Sequence, residues 1–261
     1  MNIQPTGTQA GSSQLDEASN RHQITEPAIL YFGTPVILLS TTNEDGTANL
    51  APMSSSFCLG WRVMLGLASR GKTAQNMKLT GEVVLNLPSS AQVSAVDRLA
   101  LTTGVMDVPR GKRSRGYEYV HGKFARAGLT PVPSETVAPP RVSECPIALE
   151  AVVESMHGLA DDDEGLRGAL TAFEVRVQRV HAHPAVLAEG NTDRIDPDLW
   201  RPLIMSFQHF YGLGERLHPS KLASIDEERY RSPDTMRGRE ASAMRGRRTP
   251  AAEPAATPMM V

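Results

Sequence analysis

A short polar segment, Ser69-Arg70-Gly71-Lys72-Thr73-Ala74-Gln75-Asn76, has the residue types of a phosphate-binding site. It follows an apolar run from Trp61 to Leu67 and opens a segment of helix-like composition. The first N–H groups of a helix lack partners and carry partial positive charge, so they favour anions. Lys72 and Thr73 add a cation and a hydroxyl at the same point. The segment therefore predicts a site for a phosphorylated ligand.

The residues from Gly66 to Thr73 also satisfy the Walker A pattern of P-loop NTPases. A P-loop enzyme needs a parallel α/β fold in which a second apolar strand ends in an Asp that completes the magnesium site. The next apolar run, Glu82 to Pro88, ends without such an Asp, and no regular succession of helices and strands follows. A P-loop NTPase remains the weaker alternative.

A β-hairpin is predicted just upstream of this segment. Residues Pro35 to Thr42 are β-branched and apolar, Asn43 to Gly46 supply a turn, and Thr47 to Pro52 resume an extended pattern. The second strand runs into Met53-Ser54-Ser55-Ser56-Phe57, a hydroxyl cluster after a proline that cannot donate to a sheet. The pattern predicts exposed polar groups beside an apolar wall, although an ordinary serine-rich loop has the same composition.

Taken in order, these segments resemble the flavin reductase-like family, the FMN-binding split β-barrels. The resemblance rests on the hairpin, on Asn49 to Ser56, on Ser69 to Met77 and on Glu82 to Pro88. It extends to Val137–Glu150 and to Phe207-Gln208-His209-Phe210-Tyr211-Gly212-Leu213-Gly214, and it covers residues 26–225. It implies a mainly β, Greek-key split barrel with a few helices, usually a homodimer.

The resemblance also implies which residues hold the flavin. Along the isoalloxazine ring and ribityl chain it places Asn49, Ala51, Pro52, Met53, Ser54, Ser55 and Ser56, and at the phosphate Ser69, Arg70, Lys72 and Thr73. His209 is a further candidate for contact with cofactor or substrate. The family often has Lys-Asp-Thr before the helix, whereas this chain has Gly71-Lys72-Thr73, so Arg70 could share the role of Lys72. No catalytic residue is assigned.

Two flavin functions follow from the resemblance. The first is an NAD(P)H-dependent flavin reductase that transfers hydride to or from the flavin N5 and supplies a partner monooxygenase. The second is an FMN-holding electron carrier, or a flavoenzyme with its own organic substrate. FMN is the expected cofactor and FAD the alternative. The chain has no Gly-x-Gly-x-x-Gly dinucleotide motif, so nicotinamide would bind over the flavin itself.

Composition is typical of a globular protein without a nucleic-acid or membrane partner. The 261 residues are 40% hydrophobic and 21% charged, with a net charge of -2 and a pI of about 6.4. No apolar run is long enough to span a bilayer, and the polar N-terminal sequence lacks a secretion signal, which predicts a cytoplasmic protein. Cys58 and Cys145 have no metal or disulfide spacing and are expected in the core.

The ends of the chain are expected to be disordered tails, at residues 1–24 and 231–261, around an FMN-binding domain at 25–230. Within it we predict a helix from Ala91 to Thr102, and strands from Ile147 to Met156 and from Ala169 to Val180. The long segment from Gly104 to Arg141 is expected to cover the substrate or nicotinamide, or to pack in a dimer. His181 and His183 lack a third ligand, so no metal site is predicted.

Overall fold

The computed structural model describes residues 22–245, without the side chains of residues 241–245. Most of the two predicted tails, residues 1–21 and 246–261, lies outside the described residues. Residues 22–30 contain no helix or strand. A compact unit begins at Tyr31 and contains all the elements described below.

Strands dominate this unit. They are β1 (Phe32–Pro35), β2 (Ile37–Thr42), β3 (Ala48–Met53), β4 (Ser56–Leu59), β5 (Arg62–Ala68), β6 (Glu82–Leu87), β7 (Thr102–Thr103), β8 (Glu118–Tyr119), β9 (Pro131–Val132), β10 (Arg141–Val142), β11 (Ile147–Leu159), β12 (Leu170–Ala182), β13 (Leu203–Ser206) and β14 (His209–Gly212). The helices are α1 (Lys72–Thr80), α2 (Val93–Asp97), α3 (Arg110–Arg113), α4 (Lys123–Ala127) and α5 (Pro233–Arg245). None of the described helices is long and apolar enough to cross a membrane.

Seven strands form one antiparallel sheet in the order β3-β2-β6-β11-β12-β5-β4. The sheet curls around a single hydrophobic cluster, because strands from both of its halves contribute to that cluster. Its members include Leu39 of β2, Leu85 of β6, Phe173 of β12 and Leu65 of β5, and Met77 of α1 packs with them. This arrangement confirms the predicted mainly β barrel with a few helices.

A second hydrophobic cluster covers the outside of the same sheet. Leu38 belongs to this outer cluster, whereas its neighbours Ile37 and Leu39 belong to the inner one. Adjacent strand residues point to opposite faces, so a segment buried on both faces is apolar throughout, as Ile37 to Leu39 of β2 are. Leu99 and Phe124 pack onto the outer face and attach the segments around α2 and α4 to the barrel.

Most predicted elements are present with shifted bounds. The hairpin before the serine cluster is confirmed as β2 and β3, and the two later strands are confirmed but longer, as β11 and β12. The helix predicted from Ala91 to Thr102 is shorter. A 3-10 turn, Ser90–Gln92, is capped by Ser89 and leads into α2, after which the chain turns toward β7. Leu99, on the predicted apolar face, is nevertheless fully buried.

The C-terminal segment differs from its prediction, because residues 233–245 form α5 instead of a disordered tail. Asp234 accepts two hydrogen bonds from Arg62 of β5, with Nε–Oδ2 and Nη2–Oδ1 distances of 2.7 and 3.3 Å. Gly238 allows the helix to approach Trp61, since a Cβ there would lie 2.6 Å from the indole ring. These long-range contacts order a sequence that has little apolar surface of its own.

The long segment between α2 and β11 is fixed to the barrel by buried polar side chains. Glu150 of β11 is fully buried and accepts hydrogen bonds from the amides of Glu135 and Thr136, from the Thr136 hydroxyl and from His181. Asn86 of β6 accepts a 2.7 Å bond from the amide of Val142. Burial by itself would raise the pKa of Glu150, but the hydrogen bonds from His181, Thr136 and Glu135 lower the pKa to about 2.

Replacing Glu150 should therefore change how stability depends on pH. A carboxylate with a pKa of about 2 in the folded state and an ordinary value in the unfolded state stabilises the fold above about pH 4.5 by about 3 kcal/mol. That contribution is lost as the pH falls toward 2. We expect Glu150→Gln to lower the free energy of unfolding at pH 7, and the difference from wild type to shrink on acidification, as measured by urea titration.

Glu154→Gln is the matched control, because Glu154 lies on the same strand in a solvent-accessible pair with Arg176. Such pairs contribute about 0–1 kcal/mol, so this variant should stay close to wild type. A difference between Glu150→Gln and wild type that is constant with pH would contradict the assigned role of the carboxylate.

Candidate functional site

The start of α1 presents unused hydrogen-bond donors. Gly71 is the N-cap residue, no side chain caps the helix, and the first intrahelical bond is from the amide of Gln75 to the carbonyl of Gly71. Within the described residues, the amides of Lys72, Thr73 and Ala74 have no acceptor. A helix start with free N–H groups and no acidic residue in its first turn favours an anion.

Asn49 connects the second hairpin strand to this helix start. Its Nδ2 donates to Thr73 Oγ1 at 3.1 Å and to Thr41 Oγ1 at 3.3 Å, and all three side chains are buried. Because Thr73 Oγ1 accepts the bond from Asn49, its own proton remains free to donate. The structure thus brings together two predicted residues that lie 24 positions apart in the sequence.

A cleft of about 140 Å³ opens at these donors. The structure brings four predicted residues into its lining, namely Asn49, Ala51, Lys72 and Thr73. The segment after α2 closes the other side with Thr102, Thr103, Gly104, Lys112 and Lys123. The lining of the described cleft contains three lysines and no carboxylate. The exposed Glu44 lies at its edge, with its Oε1 4.0 Å from Lys72 Nζ.

Lys123 is the most unusual of these lysines, because only 2% of it is exposed. No carboxylate of the described residues pairs with its ammonium group. Burial, together with the nearby charge of Lys112, lowers the pKa of Lys123 to about 8. The next residue, Phe124, packs into the outer hydrophobic cluster and holds α4 in place. The fold thus keeps an uncompensated cation beside the free amides.

Lys112 and Gly104 complete the wall. Lys112 Nζ lies 5.4 Å from the centre of the Tyr117 ring, and burial followed by the charge of Arg115 lowers its pKa. Gly104 packs so closely that a Cβ there would lie 2.8 Å from Asn49 Oδ1 and 3.0 Å from Lys72 Cγ. These contacts hold the donors of both segments around one small volume. Free amides, a hydroxyl and three ammonium groups are a donor set that fits a phosphomonoester dianion.

Two residues predicted for the phosphate, Ser69 and Arg70, do not contribute donors to the cleft. The amide of Ser69 donates to the Ala169 carbonyl at 2.9 Å, and its hydroxyl lies 2.7 Å from Thr171 Oγ1, so Ser69 ties β5 to β12 and offers no free amide. Arg70 is exposed, and the cleft lining does not include it. The structure assigns the cationic part of the cleft to Lys112 and Lys123 in addition to Lys72.

The residues predicted along the ring continue from the cleft. Pro52 and Met53 end β3, an edge strand of the described sheet where a missing N–H is tolerated, and Ser54 and Ser55 lead to Ser56 at the start of β4. The carbonyl of Ser55 accepts a 2.8 Å bond from the amide of Gly66. These residues therefore lie beside β5, with Ser55 next to Gly66 and β4 paired along the rest of that strand.

The remaining predicted residues lie elsewhere. His209 is exposed in β14 of a separate three-stranded sheet, and it does not line the cleft. Cys145 is buried as expected, whereas Cys58 is exposed on β4, so its expected place in the core is wrong.

Residues Gly66 to Ala68 belong to β5 and pair antiparallel with β12. They form no phosphate-wrapping loop on a parallel sheet, which removes the basis of the P-loop interpretation.

Lys112 and Lys123 were missed as site residues by sequence reasoning. Both lie in the Gly104–Arg141 segment, for which the sequence predicts either a cover over the substrate or nicotinamide or packing in a dimer, but nothing in their spacing distinguishes them from the other basic residues there. A signal was nevertheless present in Lys123-Phe124-Ala125-Arg126-Ala127, where a lysine directly precedes an apolar helix face. Such a lysine is held close to the barrel by the packing of its neighbours.

The fold defines a split β-barrel, and one cleft of it gathers free amides and three ammonium groups at the start of α1. The family described as "Flavin reductase like domain" matches residues 29–214. This chain belongs to that family, which confirms the resemblance on which the sequence prediction was based.

Individual proteins are similar to this chain in sequence or in fold. The chain is 37% identical over 199 residues to the uncharacterized protein YdfE of Bacillus subtilis (strain 168), covering 76% of this chain and 93% of YdfE. Its fold is similar to flavoredoxin of Desulfovibrio vulgaris (Miyazaki F), with a TM-score of 0.61, 22% identity and coverage of 78% and 100% of the two chains. It is also similar to nitrilotriacetate monooxygenase component B of Bacillus cereus, with a TM-score of 0.58, 21% identity and coverage of 72% and 88%.

Removing the buried cation should make the ligand-free protein more stable. The pKa of Lys123 falls from its ordinary value of 10.5 to about 8 in the folded state. The folded state therefore carries an energetic cost of about 3 kcal/mol at neutral pH, which is relieved as the pH rises from about 8 to about 10.5. We expect Lys123→Met to raise the free energy of unfolding at pH 7 by about 1–3 kcal/mol. Urea titrations at increasing pH should show this gain disappearing.

Lys78→Met serves as the control, since Lys78 is exposed in the last turn of α1. It should change stability by less than about 0.5 kcal/mol. A Lys123→Met variant that is less stable than wild type at pH 7 would show that the ammonium group is compensated in the folded protein.

Proposed function

We propose that the protein binds FMN, with its phosphate in the cleft at the start of α1, and acts as an NAD(P)H-dependent flavin reductase. One observation carries the proposal: the free amides of α1 and the unpaired Lys123 converge on a cleft without a carboxylate in its lining. Family membership supports the choice of a flavin as the ligand and of reductase activity, since the family is defined by flavin reductase-like domains. The bound flavin would supply hydride transfer at its N5 atom.

The residues of this chain would bind and orient the nucleotide. The amides of Lys72, Thr73 and Ala74 would donate to phosphate oxygens, and Thr73 would add its hydroxyl because Asn49 occupies its acceptor side. Lys72, Lys112 and Lys123 would neutralise the two negative charges. The segment from Met53 to Ser56 would lie along the ribityl chain and ring, with its hydroxyls and amides as donors.

The same donor set favours FMN over FAD. A terminal phosphomonoester carries about two negative charges at neutral pH, whereas each phosphate of a diphosphate diester carries one. The three ammonium groups lie around a volume of about 140 Å³, which suits a compact dianion. Gly104 also closes the wall, because a Cβ there would lie only 2.8–3.1 Å from side-chain atoms of Asn49 and Lys72. Little room is therefore left for a diphosphate to continue through this wall.

Variants of the cleft should weaken FMN binding without weakening riboflavin binding. Charge-assisted hydrogen bonds contribute about 1.5–3 kcal/mol, or roughly a 10- to 150-fold change in affinity. We expect Lys123→Met and Thr73→Val to raise the FMN dissociation constant by this factor, as measured by fluorescence titration. Riboflavin, which lacks the phosphate, should bind all forms equally.

Gly111→Ala is a control in the same segment, because a Cβ there would meet no atom within 4 Å. It should leave both dissociation constants unchanged. Equal FMN affinity in Lys123→Met, Thr73→Val and wild type would remove the phosphate assignment and leave the family assignment intact.

The reductase activity has its own test. Purified protein loaded with FMN should oxidise NADH or NADPH under anaerobic conditions, and the visible absorbance of the oxidised flavin should bleach in proportion. Bound FMN that neither nicotinamide reduces would support the electron carrier, or a flavoenzyme with its own organic substrate. Reduced flavin that passes to an added flavin-dependent monooxygenase would support the partner role.

A further inference from the structure

The segment that closes the cleft carries an excess of positive charge. Residues 105–127 contain six Arg and Lys residues and two carboxylates, which gives a net charge of +4. The whole chain has a net charge of -2, so all other residues together carry -6. The charge of the protein is therefore strongly asymmetric. Its positive part lies in the segment that contributes Lys112 and Lys123 to the cleft.

Ion pairs within this segment leave the excess in place. Both of its carboxylates face arginines of the same segment, Asp107 with Arg113 and Glu118 with Arg126. In each pair both side chains are at least half exposed, so water weakens the interaction. The other cations of the segment face no carboxylate among the described residues, and they are Arg110, Lys112, Arg115 and Lys123.

The exposed part of this excess lies beside the cleft. Arg110 and Arg113 of α3 are exposed, and their Cα atoms lie within about 8 Å of the Cα of Lys112, since they are at most two positions away. Arg115 lies 5.7 Å from the centre of the Tyr117 ring, and Lys112 Nζ lies 5.4 Å from the same centre. Arg110, Arg113 and Arg115 therefore form a basic patch that continues from the cleft wall into solvent.

We propose that this basic patch steers FMN into the cleft, so that the exposed arginines set its association rate and the buried Lys123 sets its dissociation rate. The proposal rests on the binding of the FMN phosphate in the cleft. Surface charge raises the local concentration of an oppositely charged ligand and speeds association by about 10- to 1,000-fold. A buried charge that pairs with the bound ligand acts mainly on dissociation. Riboflavin has no phosphate and is not steered.

Stopped-flow mixing of FMN with flavin-free, full-length protein measures the association rate, and dilution of the complex measures the dissociation rate. The double variant Arg110→Glu with Arg113→Glu should lower the association rate roughly 5-fold in 0.1 M salt, where the Debye length is about 10 Å. In 1 M salt, where it is about 3 Å, the difference should fall below about 2-fold. Arg115 is kept, because it shares the Tyr117 ring with Lys112 and its loss would disturb the cleft itself.

The dissociation rate and the neutral ligand separate steering from damage to the site. The double variant should keep the FMN dissociation rate of wild type within about 2-fold, because its substituted residues do not line the cleft. Lys123→Met should show the opposite pattern, with dissociation faster by roughly 10-fold or more. Riboflavin should associate equally fast with all forms at every salt concentration, which also shows that the variants are folded.

Lys221→Glu with Arg229→Glu is the matched control, because it makes the same change in net charge at exposed positions. Both residues flank the segment that lies beside Trp61, just before β5, whereas the cleft lies at the other end of β5, at Ala68. The seven residues of β5 span about 20 Å, or two Debye lengths in 0.1 M salt. This control should keep the wild-type association rate within about 2-fold.

An unchanged FMN association rate in the Arg110 and Arg113 variant would overturn the steering, as would an equal loss in the control or a loss that persists in 1 M salt. If Lys123→Met and Thr73→Val still weaken FMN binding in that case, the phosphate assignment stands without the steering. Unchanged FMN affinity in Lys123→Met and Thr73→Val would instead remove the phosphate site itself, and the steering with it.

Discussion

Uncompensated positive charge at the start of α1 is the constraint around which the site is built. A buried ammonium group without a counterion destabilises a fold, and like charges nearby increase that cost. Lys123 and Lys112 nevertheless share one cleft with Lys72 and with free helix amides. A protein retains such an arrangement where a ligand supplies the missing negative charge, because ligand binding then recovers the energy. The cost in the free protein and the proposed affinity for an anion thus have the same origin.

The barrel supplies the rigidity that this arrangement requires. Around β2 the sheet is buried on both faces, and α1 is fixed from the inside through Met77 while α4 is fixed from the outside through Phe124. Lys72 and Lys123 are therefore placed by opposite faces of the same sheet. The segment between α4 and β11 is held by the buried carboxylate of Glu150 and by Asn86. Removing one of these polar side chains would loosen the segment between α4 and β11.

The sequence predicted the parts of the site that depend on local interactions. The hairpin β2–β3, the helix start at Lys72 and the adjacent Thr73 follow from turn chemistry, apolar alternation and the properties of helix ends. The places of Lys112 and Lys123 could not be predicted this way, because they depend on tertiary packing. Phe124 and Ala127 of α4 pack into the outer hydrophobic cluster beside Lys123, and Lys112 of α3 lies over the Tyr117 ring. The formation of an ordered helix α5 likewise depends on an ion pair between Arg62 and Asp234, which lie 172 positions apart in the sequence. The free cysteine on β4 shows the same limit, since burial of a single thiol is decided by tertiary packing.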